Sequence, residues 1–124
     1  MNVNQVLNLK AAIESIPQEK VKEYNSITAY LLARNIRNIN KVAEKFNADR
    51  DAILKDEWFQ EYQKDAKDDE VKANEKYKVQ LTEASKEIET LLNAECEFEV
   101  YQRSIEEVNF DGEDVLKLYD LIKE

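Results

Sequence analysis

Glu95, Glu97 and Glu99 are the residues of this chain whose type and spacing come nearest to chemistry, since converging carboxylates can hold a divalent cation or act as a general base. Their spacing points elsewhere. The run Glu95-Cys96-Glu97-Phe98-Glu99-Val100 alternates acidic with apolar residues, which is the period of a half-buried strand. Residues two apart on a strand stand ~7 Å apart and project in parallel, so three carboxylates so placed do not close around one ion. They read as a solvated face that discourages indiscriminate edge pairing. The same strand, short of an internal partner, offers a second chain a place to add one. Cys96 is the only cysteine and histidine is absent, so an intramolecular disulfide, a Cys/His zinc site and a histidine-based triad are all excluded. Cys96 is expected to be an inert buried thiol. No catalytic, metal-binding or cofactor-binding residue is assigned.

Trp58, Phe59 and Tyr62 crowd one stretch and are either core filling or a partner anchor, a role in which Trp and Tyr are favoured. Together with Glu95, Glu97 and Glu99 they form the candidate partner-binding set. Arg34, Arg37, Lys41 and Lys45 follow at spacings of three, four and four, which makes a basic line along a helix. Pairing with acidic residues such as Glu83, Glu87 or Glu89 is expected of it, in preference to polyanion binding. Asn35 and Asn38 are poor helix formers within a helical run and are expected to face solvent, with a register-fixing place in the seam as the alternative.

The elements that carry these residues are few and long. Gly and Pro occur once each in 124 residues, where average usage of ~7% and ~5% gives about nine and six, so a fold of many short strands lacks its turns. Asn4 to Ile16 suits a short helix capped by Asn4 and ended by Pro17. From a cap at Asn25 or Ser26, apolar residues recur three or four apart through Ile27, Leu31, Leu32, Ile36, Ile39, Phe46, Ile53, Leu54, Trp58 and Tyr62, predicting one helix from 26 to 62. The charged stretch 64–74 is the expected turn, and Tyr77, Leu81, Ala84, Ile88, Leu91 and Leu92 predict a second long helix to Asn93. The two fold back as an antiparallel hairpin of coiled-coil character, with the first helix packed across it near Ser26. The strand at Glu95 to Val100 follows, with Val108-Asn109-Phe110 as its partner and a closing helix capped at Asp111.

The expected fold is therefore mostly α: one domain, 1–124, built of a short N-terminal helix (1–17), a hairpin (20–94) and a C-terminal strand and helix (95–124). Charge divides along it. Residues 1–46 carry +3 and residues 47–124 carry −12, for a net −9 that argues against direct nucleic-acid binding. No run of eighteen apolar residues and no basic-then-apolar leader occurs, so neither a membrane span nor secretion is expected, and the cytoplasm is the default.

Three pieces carry a resemblance to a family of small bacteriophage proteins of uncharacterised function. They are the first helix ending at Ile16-Pro17, the run Tyr30-Leu31-Leu32-Ala33-Arg34-Asn35-Ile36-Arg37-Asn38-Ile39 leading to Asp49-Arg50-Asp51-Ala52-Ile53-Leu54, and the Glu-rich ending from Glu95. The resemblance implies a role in the virion, in its assembly or in dealing with the host, located in the host cytoplasm or virion, and it transfers no catalytic residue. The expected function is a non-enzymatic protein–protein interaction or structural assembly protein, acting on a protein partner or by self-association. The alternative is an acidic inhibitor that occupies a basic, nucleic-acid-binding site on a host protein. Too few residue types remain for an enzyme to be favoured.

Overall fold

Asn2, not Asn4, opens the first helix, α1 (Val3–Glu14). Gln5 stands at the third helical position, so its Oε1 accepts from the Asn2 backbone N–H (2.9 Å) while Asn2 Oδ1 accepts from Gln5 N–H (2.8 Å). The reciprocal pair satisfies two donors that a cap at Asn4 would leave open. Val6, Leu9 and Ile13 bury one face of α1, and Pro17 then turns the chain into a single helical turn, α2 (Gln18–Val21). The computed structural model describes residues 1–123.

Asn25 caps the 29-residue α3 (Ser26–Leu54), its Oδ1 accepting from Thr28 N–H at 2.8 Å. The expected continuation to Tyr62 is corrected by a break at Lys55–Asp56 without Gly or Pro. Asp56 is extended (φ −62°, ψ 150°) and precedes α4 (Glu57–Asp68), where acidic Asp56 and Glu57 favour a new helix N-terminus over an interior position. The charged link forms no long loop either. Asp69 alone makes the turn (φ −154°, ψ 99°), ending α4 and capping α5 (Glu70–Lys76) through a bond from Lys72 N–H. Tyr77 (φ −107°, ψ 19°) separates α5 from α6 (Lys78–Asn93). The mostly α class is borne out, and the turn lies inside 64–74, but both long arms are interrupted.

The C-terminal strand prediction needs correction. Residues 95–100 keep the expected alternation of burial, yet they form no strand, and their one backbone pairing among the described residues is an antiparallel bridge, Asn2↔Glu95. Val108-Asn109-Phe110 is not a strand. The sheet lies elsewhere: β1 (Arg103–Ser104) pairs in parallel with β2 (Ile122–Lys123), Arg103 opposite Ile122 and Ser104 opposite Lys123. The closing helix, α7 (Gly112–Lys117), is short and gives way to a 3-10 turn, Tyr119–Leu121, before β2. Strands of two residues are too short to show a period of two.

Two compact units divide the chain, one made of Met1–Ala43 with the chain from Glu95 on, the other of Glu44–Ala94. The first holds the main core, Val6, Leu9, Ile13, Ile16, Leu31, Leu32, Ile39, Phe98, Leu118 and Leu121. In the second, only Phe46, Ala73, Tyr77 and Ala84 are buried among the described residues.

Candidate functional site

Within the first unit, α3 turns Thr28, Leu31, Leu32, Asn35 and Ile39 inward at helical spacing. Two of the five are polar, and both bind the C-terminal chain. Thr28 Oγ1 accepts from Asn109 N–H at 3.0 Å. Asn35, fully buried where solvent exposure is expected, donates Nδ2–H to the Tyr101 carbonyl (2.9 Å) and accepts from Tyr101 N–H at Oδ1 (3.0 Å). Its amide imitates a neighbouring strand. Asn35 therefore lies neither in solvent nor in a helical seam, but against the chain at Tyr101. Asn38 is half-buried.

Arg34 lays its guanidinium 4.1 Å from the Tyr101 ring centroid, Tyr30 meets that ring edge-on at 5.9 Å, and Arg103 lies 5.5 Å from it. Among the described residues none of Arg34, Arg37, Lys41 and Lys45 forms an ion pair, and it is the Tyr101 ring that Arg34 packs on. A guanidinium on an aromatic face keeps its hydration on the other side, which a fixed ion pair would surrender.

A charge cluster around the buried Asp114 was not legible in the sequence. Asp114, 2% exposed, accepts from Tyr24 O–H at 2.5 Å and pairs with Lys20 Nζ at 3.0 Å; Lys20 also pairs with Asp111, which caps α7 by accepting from Asp114 N–H (2.9 Å). Hydrogen bonds to Asp111 and then Asp114 raise the Lys20 ammonium above its usual range. The bond from Lys20, followed by that from Asp114 N–H, holds Asp111 below the usual carboxylate range. Burial first, and the bond to Asp114 second, push the Tyr24 phenol up. Each shift moves the group's pKa further from neutral pH, opposite to what a general acid or base needs. The cluster ties the C-terminal chain to α2. Helical spacing within each pair, Lys20 with Tyr24 and Asp111 with Asp114, is the only local signal of it.

Glu95, Glu97 and Glu99 are all exposed on the extended segment, and Cys96, Phe98 and Val100 turn inward. The carboxylates do not converge, and no group of three possible ligands that could hold a metal occurs among the described residues. Glu95 Oε2 lies 3.6 Å from the Met1 ammonium. Cys96 is half-buried and donates its S–H to the Met1 carbonyl (3.3 Å).

In the second unit Trp58, Phe59 and Tyr62 do come together, around Tyr77. Ring centroids are 5.6 Å apart for Trp58–Phe59, 6.2 Å for Trp58–Tyr77, 6.0 Å for Phe59–Tyr62 and 5.7 Å for Tyr62–Tyr77. Tyr62 O–H donates to Asn74 Oδ1 (2.6 Å), and Tyr77 O–H and Lys76 Nζ both reach Asp65 Oδ2 at 3.3 Å. The hydrogen bond to Asp65 raises the Lys76 ammonium. Only Tyr77 is buried; Trp58, Phe59 and Tyr62 stay half-buried, and Val71 on α5 and Val79 on α6 are exposed. A shallow depression of about 200 Å³, lined by Asp65, Asp68, Asp69, Lys72, Ala73 and Lys76, is smaller than the ~300 Å³ of common ligand pockets.

Compared with family models, curated proteins and solved structures, the chain matches none. Among the described residues no helix is long and apolar enough to cross a membrane.

Proposed function

We propose that this chain is a non-enzymatic interaction and assembly protein, and that the aromatic face of its second unit contacts further copies of itself. One observation carries the reading. Between Glu44 and Ala94 the apolar residues recur at helical spacing, yet Ile53, Leu54, Trp58, Phe59, Tyr62, Leu81, Ile88, Leu91 and Leu92 remain only half-buried. Helices with so periodic a stripe normally bury it, and residues left part-exposed along it give another chain apolar area still to cover. The rings add large, rigid area at small entropic cost, and burying the rest of each is worth on the order of 1 kcal/mol or more. In the same stretch Lys64, Lys67, Lys72 and Lys76 interleave with Asp65, Asp68, Asp69 and Glu75, so charges of both signs are available to pair with a second copy.

The resemblance to small bacteriophage proteins supports a role for this contact in the virion or its assembly. The experiment is light scattering on the purified protein over a concentration series, alongside the variant Trp58→Ala/Phe59→Ala/Tyr62→Ala. A defined multiple of 14.6 kDa that the variant reduces to one supports the reading. A wild-type monomer at every concentration sinks it.

A further inference from the structure

The extended segment of the first unit holds a second surface. An antiparallel pairing begins there with the bridge Asn2↔Glu95 and the bond from Cys96 N–H to the Met1 carbonyl at 3.2 Å. It resumes in imitation at Tyr101, whose N–H and C=O are both held by Asn35. Between them, Glu97, Phe98, Glu99 and Val100 make no hydrogen bond among the described residues. Yet these four keep the period of a strand, with Phe98 buried, Val100 half-buried, and Glu97 and Glu99 exposed. Backbone groups left unpaired inside a protein are rare because each costs a lost hydrogen bond, and Glu97 and Glu99, both exposed, open this stretch to water. The four residues amount to a stretch of strand edge ~13 Å long with nothing on it.

We infer that the edge at Glu97–Val100 accepts an added strand from another protein, and that the strand is basic on alternate residues. Backbone pairing would supply the affinity, and side chains of neighbouring strands that share a face lie against one another. On the outer face Glu95, Glu97 and Glu99 would therefore meet the partner's exposed residues, and lysines or arginines there complete the charge. Met1 already sets one cation, its ammonium, against Glu95. On the inner face apolar residues would extend the row of Cys96, Phe98 and Val100. A second copy of this segment is the wrong occupant, because it would put glutamate opposite glutamate. This surface shares no residue with the aromatic face proposed above and stands or falls separately.

The test uses the full chain and a short labelled peptide of alternating lysine and valine, with fluorescence anisotropy as the readout. Saturable binding is expected. It should weaken about tenfold or more when alternate backbone nitrogens of the peptide are methylated, which removes donors but keeps charge. Glu97→Lys with Glu99→Lys should weaken it by a similar factor and transfer preference to an alternating glutamate and valine peptide. Amide exchange at Glu97–Val100 should slow about tenfold in the complex. The same measurements on Trp58→Ala/Phe59→Ala/Tyr62→Ala should be unchanged, which separates this edge from the aromatic face. No saturable binding, equal binding of the methylated peptide, or protection of Glu97–Val100 that grows with protein concentration in the absence of peptide would each overturn the inference.

Discussion

Replacing Asn35 with alanine removes the side chain that holds both the N–H and the C=O of Tyr101 against α3. The site is fully buried at Asn35, and the loss frees both the N–H and the C=O of Tyr101. The third bond, from Nδ2 to the Leu31 carbonyl at 2.9 Å, matters less, because that oxygen still accepts within the helix. An unpaired buried backbone group costs about 1–3 kcal/mol. Tyr101 is half-buried, so water recovers part of this, and the sum comes to about 2–4 kcal/mol. At this chain length that corresponds to a fall in Tm of roughly 10 °C. Urea unfolding followed by circular dichroism at 222 nm measures it, with Asn38→Ala as control; that change in a half-buried residue should stay within about 0.5 kcal/mol. An Asn35→Ala variant within about 0.5 kcal/mol of wild type would refute the argument that the amide stands in for a strand.

Asp114→Ala strips the buried partner from Tyr24 O–H and Lys20 and should cost about 3 kcal/mol, read by the same unfolding curve. The pH dependence of that stability has a defined sign. Asp111 is depressed in the folded state, so its contribution is present above the ordinary carboxylate value of 3.8 and lost as pH falls through its lower folded value. Tyr24 and Lys20 are raised, so theirs are full below 10.0 and 10.5 and decline as pH rises further; urea midpoints should be flat between these limits and fall on both sides. Asn2→Ala removes the capping box of α1 and should cost about 1 kcal/mol. Trp58 is the only tryptophan, so its emission should shift to the blue as concentration rises, and a spectrum independent of concentration would count against the aromatic contact.

Much of the helical content was legible because apolar spacing reports a buried face directly. The N-terminal face of α3 from Leu31 to Ile39, the corner at Pro17 and the cap at Asp111 all follow from local residue types. What escaped depends on residues far apart in sequence. Asn35 looks like a surface residue until Tyr101, 66 positions on, supplies a backbone for its amide, and Asp114 finds Tyr24 across 90 positions. The break at Lys55–Asp56 carries no Gly or Pro, and the two-residue strands carry no period. Of the candidate contact residues, spacing placed Trp58, Phe59 and Tyr62 on one helix and Glu95, Glu97 and Glu99 on one exposed side. It did not show Tyr77 as the buried centre of the ring cluster, since a tyrosine in an apolar stripe looks the same whether it packs on leucines or on other rings.

The most direct test of the assembly reading is the solution mass of the wild-type chain, measured by light scattering as concentration is raised. A discrete multiple of 14.6 kDa is expected, collapsing to a single chain in Trp58→Ala/Phe59→Ala/Tyr62→Ala. A mass of one chain at every concentration, or a multiple that the variant leaves intact, would contradict it.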